Sequence, residues 1–160
     1  MTNEVYDEMD KNEFDIDALR DANDNSKKYL TFISDGLVFG IPIDNVIEII
    51  TNHNVTKLPR VPDYVQGIIN LRGQIIPIID IRLRMNKPAA EPSSTNCVII
   101  LEVDSISIGI LVDVVMQVFD IENKITPPPS KSQEFVSGMS TLADGTVVFC
   151  MDCQLLVNSK

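Results

Sequence analysis

Tryptophan is absent from this chain, histidine occurs once, and only 6% of the 160 residues are aromatic. No apolar run reaches the ~18 residues that a membrane-spanning helix requires. The basic start of a secretory leader is missing too, because Glu4, Asp7, Glu8 and Asp10 open the chain. A soluble, cytosolic protein without direct membrane insertion is expected. A basic excess is also lacking, since the formal net charge is −10. Residues 1–25 carry nine acids against two bases, and the remainder carries fourteen against eleven. Phosphate recognition needs the opposite balance, so nucleic acid is not an expected partner. Three cysteines are an odd number and suggest no disulfide framework. The glycine-rich phosphate loops and the G-x-S-x-G nucleophile turn are absent, so neither a cofactor nor catalysis is expected.

What the chain has in quantity is isoleucine and valine, which dominate the apolar runs after residue 28 and favour strands. Before them, residues 1–27 read as a flexible acidic arm. The rest is written twice. LVFGIPIDNVIEII (37–50) aligns with ISIGILVDVVMQVF (106–119) at an offset of 69, matching Gly40 to Gly109, Asp44 to Asp113 and Val46 to Val115. VQGIINLRGQIIPIIDI (65–81) aligns with VSGMSTLADGTVVFCMDC (136–153), matching Gly67 to Gly138. After one extra residue, Gly73 meets Gly145 and Asp80 meets Asp152 at an offset of 72. Each copy predicts four or five short strands, with turns at Asp35-Gly36, Asp104-Ser105 and Asp144-Gly145. Two lobes are expected, about 28–85 and 96–158, joined by a polar linker over 86–95. A copy of ~60 residues buries little on its own, so the lobes should lean on each other.

The repeat acts as an internal control on polar residues. Asn70-Leu71-Arg72-Gly73 in the first copy faces Thr141-Leu142-Ala143-Asp144-Gly145 in the second. Leucine and glycine are kept, while asparagine and arginine are not. A guanidinium required for folding would recur, so Arg72 is read as serving a partner. Six bases between Lys57 and Lys87, Arg82 and Arg84 among them, face only two acids and suggest a local basic surface. Strand alternation over 46–50 sends Ile47 and Ile49 inward and leaves Val46 and Glu48 exposed as a contact spot.

Cys150 and Cys153 form a C-x-x-C, and with Cys97 and His53 they make four conceivable zinc ligands. The repeat aligns both with apolar positions, Ile78 and Ile81, so they are read as small hydrophobes. Asp44, Asp80, Asp113 and Asp152 recur in matched pairs, which points to turn or cap hydrogen bonds rather than acid–base work. Asp152 is placed to cap a short terminal helix.

The run VPDYVQGIINLRGQIIPIIDIRLR, with FGIPIDNVIEI before it and IGILVDVVMQV, ITPPP and DGTVVFCMDCQLL after it, resembles the CheW-like coupling proteins of bacterial chemotaxis. The resemblance spans about residues 28–158. It implies a mostly β fold of two intertwined five-stranded SH3-like barrels, a short C-terminal helix and no enzymatic activity. It also implies a role: bridging the cytoplasmic tips of methyl-accepting chemoreceptors and the regulatory domain of the histidine kinase CheA, in membrane-associated receptor arrays. Arg72, Asn70, Gly67, Val46 and Glu48 match family positions linked to coupling, and Arg82 and Arg84 extend the basic surface beside them. The same domain occurs in CheA and in CheV, but the chain's length leaves no room for an ATPase or receiver domain. A stand-alone coupler is therefore expected, in chemotaxis or in a non-motility pathway of the same architecture. The acidic arm and the cysteine-bearing final strand depart from the usual pattern.

Overall fold

The computed structural model describes residues 27–51, 55–89, 94–121, 127 and 135–158. The acidic arm up to residue 26, His53 and most of the proline run lie outside the described residues. The Ile/Val runs form ten strands: β1 (Lys27–Ser34), β2 (Leu37–Pro42), β3 (Val46–Ile50), β4 (Val65–Leu71), β5 (Gln74–Asp80), β6 (Cys97–Val103), β7 (Ile106–Val112), β8 (Val114–Ile121), β9 (Val136–Thr141) and β10 (Val147–Met151). Two short helices follow the last strand of each copy, α1 (Ile81–Arg84) and α2 (Cys153–Asn158). Asp80 and Asp152 cap them. The Asp80 carboxylate accepts from the Arg82 and Leu83 N–H groups, and Asp152 accepts from Gln154 and Leu155.

Three hairpins turn in two residues, with positive φ at both: Asp35-Gly36, Arg72-Gly73 and Asp104-Ser105. That geometry matches the right-handed twist of the flanking strands. The extra residue of the second copy makes its β9–β10 turn longer, closed by Gly145 N–H donating to the Leu142 carbonyl.

The strands make two five-stranded sheets, ordered β8-β1-β2-β10-β9 and β3-β6-β7-β5-β4. Each sheet therefore takes two strands from one copy and three from the other. All pairings are antiparallel except β2–β10 and β5–β7, and these two join copy to copy. Their registers are equivalent under the repeat: Gly40 lies opposite Cys150, and Gly109 opposite Ile78. A Cβ on Gly109 would stand 2.6 Å from Ile78 Cδ1, which explains the matched glycines as a packing requirement.

Burial follows the period of two. In β6, Val98 and Ile100 belong to a small cluster with Ile69, Ile76 and Ile78. The alternate residues Ile99 and Leu101 join the large core shared by the sheets, with Leu30, Phe32, Phe39 and Phe135. Tyr29, Ile121, Val148 and Cys150 form the small cluster of the other sheet. Phe32 and Phe39 stack at 5.3 Å between ring centres within the shared core.

Beyond β3 the chain crosses to the far edge of its own sheet. Thr56 and Ile68 exchange backbone hydrogen bonds of 2.8 and 2.9 Å, so the segment after β3 runs along β4 and draws the two edges together. Gly67 permits this approach, because a Cβ there would lie 2.2 Å from the Thr56 carbonyl oxygen. Gly67→Ala is expected to force the two backbones apart and cost roughly 1–3 kcal/mol. Urea denaturation measures this, and an unchanged midpoint would contradict the assignment.

Candidate functional site

Arg72 stands at the tip of the β4–β5 hairpin, with a side chain 71% exposed. The turn is set by its neighbours: Asn70 Oδ1 accepts the Gly73 N–H at 2.9 Å, and Gly73 supplies the second positive φ. Arg72 itself has a φ of 53°, a conformation disfavoured for residues with a Cβ. Its guanidinium is held by Glu48, with Nη1 donating to Oε1 at 2.7 Å and Nη2 to Oε2 at 3.2 Å. That hydrogen bond, and the carboxylate's charge, raise the arginine's pKa above its ordinary value. Because β3 and β4 are opposite edges of one sheet, the pair spans the seam already bridged by Thr56 and Ile68.

The second copy carries neither partner of this pair. Glu48 corresponds to Gln117 and Arg72 to Ala143, so both partners of the pair are replaced. Apolar surface accompanies the exposed arginine. Ile75, opposite Asn70 in the β4–β5 register, is 56% exposed, and Ile47, beside Glu48, is 39% exposed. Lys57, Leu58 and Arg60 lie exposed on the segment that runs toward β4.

The expected exposure of Val46 is corrected. Val46 is fully buried and Ile47 faces outward. The cause is a bulge: Val46 pairs with Leu101 and Glu48 with Ile100, leaving Ile47 as an extra residue that shifts the alternation. A 3-10 turn over Ile43–Asn45 feeds directly into this bulge. Gly67 is likewise buried, with Thr56 against it, so it offers no side of its own to a partner.

The six-base surface is also corrected. Arg82 turns onto the protein itself, donating from Nη2 to Asp113 Oδ2 at 2.7 Å and from Nη1 to Asp35 Oδ1 at 3.2 Å. Lys87 approaches Asp35 at 3.9 Å. These contacts tie α1, which ends the second sheet's β5, to turns of the first sheet. Burial pushes the Asp113 carboxyl up, but the Arg82 hydrogen bond, the Asp35 N–H and the Arg82 charge together hold it below the usual carboxylate value. Arg84 is only 9% exposed, and its guanidinium lies over the rings of Tyr64 and Phe135 at 5.0 and 5.5 Å. Neither the long-range carboxylates nor the rings that hold these arginines are signalled by local sequence.

Cys150 and Cys153 are buried free thiols, and burial pushes their pKa values up to about 11 and about 12. A reactive or metal-binding thiol needs the opposite shift. Among the described residues, no three His, Cys, Asp or Glu side chains gather as metal ligands. No described helix is long and apolar enough to cross a membrane.

The two copies thus exchange strands between two five-stranded sheets of the double-barrel class, and one sheet's β4–β5 hairpin carries an exposed arginine with apolar side chains nearby. Residues 28–160 match the family profile described as CheW-like domain. The chain is 30% identical over 139 residues to chemotaxis protein CheW of Klebsiella aerogenes, covering 84% of this chain and 83% of the relative. It is 38% identical over 81 residues to chemotaxis protein CheW of Rhizobium meliloti, an aligned stretch spanning about half of each chain, 50% here and 52% there. The crystal structure of the scaffolding protein TtCheW from Thermoanaerobacter tengcongensis superimposes with a TM-score of 0.77 at 33% identity, covering 84% of this chain and 96% of that one. The chain belongs to the CheW-like family of chemotaxis coupling adaptors.

The Arg82 contacts generate a pH prediction. Because the folded carboxyl of Asp113 titrates below its ordinary value of 3.8, its stabilisation is complete above that value and is lost as pH falls through the lower, folded one. Asp113→Asn is therefore expected to cost about 1–3 kcal/mol at neutral pH. The difference from the unmutated protein should shrink steadily in urea titrations taken from about pH 5 down to about pH 2. A difference independent of pH would show that the carboxylate's charge is not what Arg82 uses.

Proposed function

We propose that this chain is a non-catalytic coupler that holds the regulatory domain of the histidine kinase CheA against the cytoplasmic tips of methyl-accepting chemoreceptors. In this reading Arg72 is the principal contact and works from the cytoplasmic side of membrane-associated receptor arrays. The supporting observation is the placement of Arg72. Its guanidinium is exposed, fixed in direction by the two hydrogen bonds it donates to Glu48, and mounted on a backbone conformation that arginine disfavours. Ion pairs this exposed contribute little to folding. A rigid, half-satisfied arginine rimmed by Ile75 and Ile47 has the composition of an interface anchor. Asn70 acts through the turn it closes, and Glu48 through the direction it gives the guanidinium. Val46 and Gly67 act behind this surface, by setting the bulge and the edge pairing. Arg82 and Arg84 hold the scaffold.

A second reading keeps the same chemistry in a different pathway. The chain is also 27% identical over 104 residues to protein FrzA of Myxococcus xanthus, covering 64% of this chain. Capture of receptor and kinase fragments from a motility system, against fragments from its non-motility counterpart, separates the two readings.

The Arg72 assignment is tested by two substitutions. Arg72→Gly relieves the positive φ and is expected to leave the unfolding midpoint unchanged or slightly raised. Arg72→Asp should also unfold at nearly the original midpoint, while affinity for the partner fragments falls by about tenfold or more, as for other arginine anchors. Loss of stability in Arg72→Gly would make the residue structural and remove the basis of the proposal.

A further inference from the structure

The repeat supplies a second version of the surroundings of Arg82. Gln154 is its equivalent, and Asp104 is the equivalent of Asp35. The correspondence holds in space: Gln154 Nε2 donates to Asp104 Oδ2, as Arg82 Nη1 donates to Asp35 Oδ1. Each contact ties the helix after one sheet's strand to a hairpin turn of the other sheet. The plugs differ in size and charge. Arg82 brings a guanidinium that engages two carboxylates at once, and Gln154 brings one neutral amide.

Where the smaller plug sits, a groove of about 370 Å³ remains open between the sheets. That volume lies within the usual range of small binding clefts. Its accessible lining is mostly polar, since Val103 and Met151 are themselves buried, and Asn45, Ser137, Asp104 and Asp152 are among the residues that line it. Among the described residues, no lysine, arginine or histidine lines it. Asp152 spends Oδ1 on the two N–H groups of the α2 cap. The match is not complete, since the equivalent of Asp113 is Asp44, which is exposed and stands outside the groove. Asp152 provides the second carboxylate instead.

We propose that this groove receives the guanidinium of an arginine carried by a protein partner, in the manner in which Arg82 occupies the equivalent site. The sign of the lining excludes an anion. Two carboxylates are too few for a calcium-type cation, which takes 6–8 oxygens. A flat cation with several donors suits two carboxylates in a mostly polar groove. The surface shares no residue with the Arg72 hairpin, so the two proposals stand or fall separately.

The test uses the full chain and a blocked alanine-arginine-alanine peptide, followed by backbone amide NMR. Saturable shifts are expected at Asn45, Asp104, Ser137 and Gln154. The citrulline peptide, equal in shape but uncharged, should bind about tenfold more weakly, as should the arginine peptide to Asp104→Asn, in line with loss of a charge-assisted hydrogen bond. Gln154→Arg should plug the groove from within and abolish the shifts. Arg72→Gly should bind like the unmutated protein. Equal binding of arginine and citrulline, equal binding of a lysine peptide, or shifts confined to other acidic surfaces would overturn the proposal. So would undiminished binding to Gln154→Arg, and if that variant fails to fold, Asp104→Asn decides alone.

Discussion

Four strand pairs hold this fold together by joining one copy of the repeat to the other: the antiparallel β1–β8 and β3–β6, and the parallel β2–β10 and β5–β7. Without them each copy would keep only hairpins, and a chain of about 60 residues buries too little surface to be stable in that form. The exchange has a second effect. It places β6, β7, β1 and β2 so that their alternate residues fill a single core common to both sheets. The two sheets therefore cannot move apart without exposing Phe32, Phe39, Ile99 and Leu101 together. Rigidity of the whole, and with it the fixed direction of any surface group, follows from that shared core.

The copies then differ mainly where that core does not dictate the residue. Matched glycines and apolar residues persist because strand contacts demand them, and Asp80 and Asp152 persist because both helices need a cap. The polar residues diverge. Arg82 becomes Gln154 and still reaches the opposite sheet's turn; Arg84 becomes Leu156, which is buried like it. Burying a guanidinium between Tyr64 and Phe135 is tolerated because aromatic faces attract it. Three arginines spaced within thirteen residues thus have three fates: one clamps the sheets, one packs between rings, and one faces solvent.

Strands, turns and caps were legible in the sequence because each leaves a local mark: alternation, a paired turn dipeptide, an aspartate before a helix. The repeat made the cysteines legible too, since Cys150 and Cys153 fall in apolar positions and are buried there. Val46 was misread because a bulge adds one residue and inverts the alternation, and nothing in VIEII announces it. Arg82 was misread for another reason: its carboxylates lie 47 and 31 residues away and meet it only after strand exchange. The exchange itself has no local signature, because swapped and unswapped hairpins obey the same alternation. Only the family resemblance implied it.

What singles out Arg72 is that folding alone gives no reason for it. Of the described non-glycine residues with positive φ, Asp35, Asn86 and Asp104 are types that tolerate that region well, whereas Arg60, Arg72 and Ser105 are not. Asparagine or glycine at the hairpin tip would satisfy the turn better. The Glu48 pair does not repair this, since so exposed an ion pair adds little stability and the other sheet carries Ala143 and Gln117 at the equivalent positions. A residue that the backbone disfavours, whose contact adds little and whose counterpart is dispensable, is what the proposed docking role of Arg72 accounts for. Under that proposal the carboxylate has a definite part: it limits the guanidinium to one direction before binding, so that less side-chain entropy would be lost on meeting a partner.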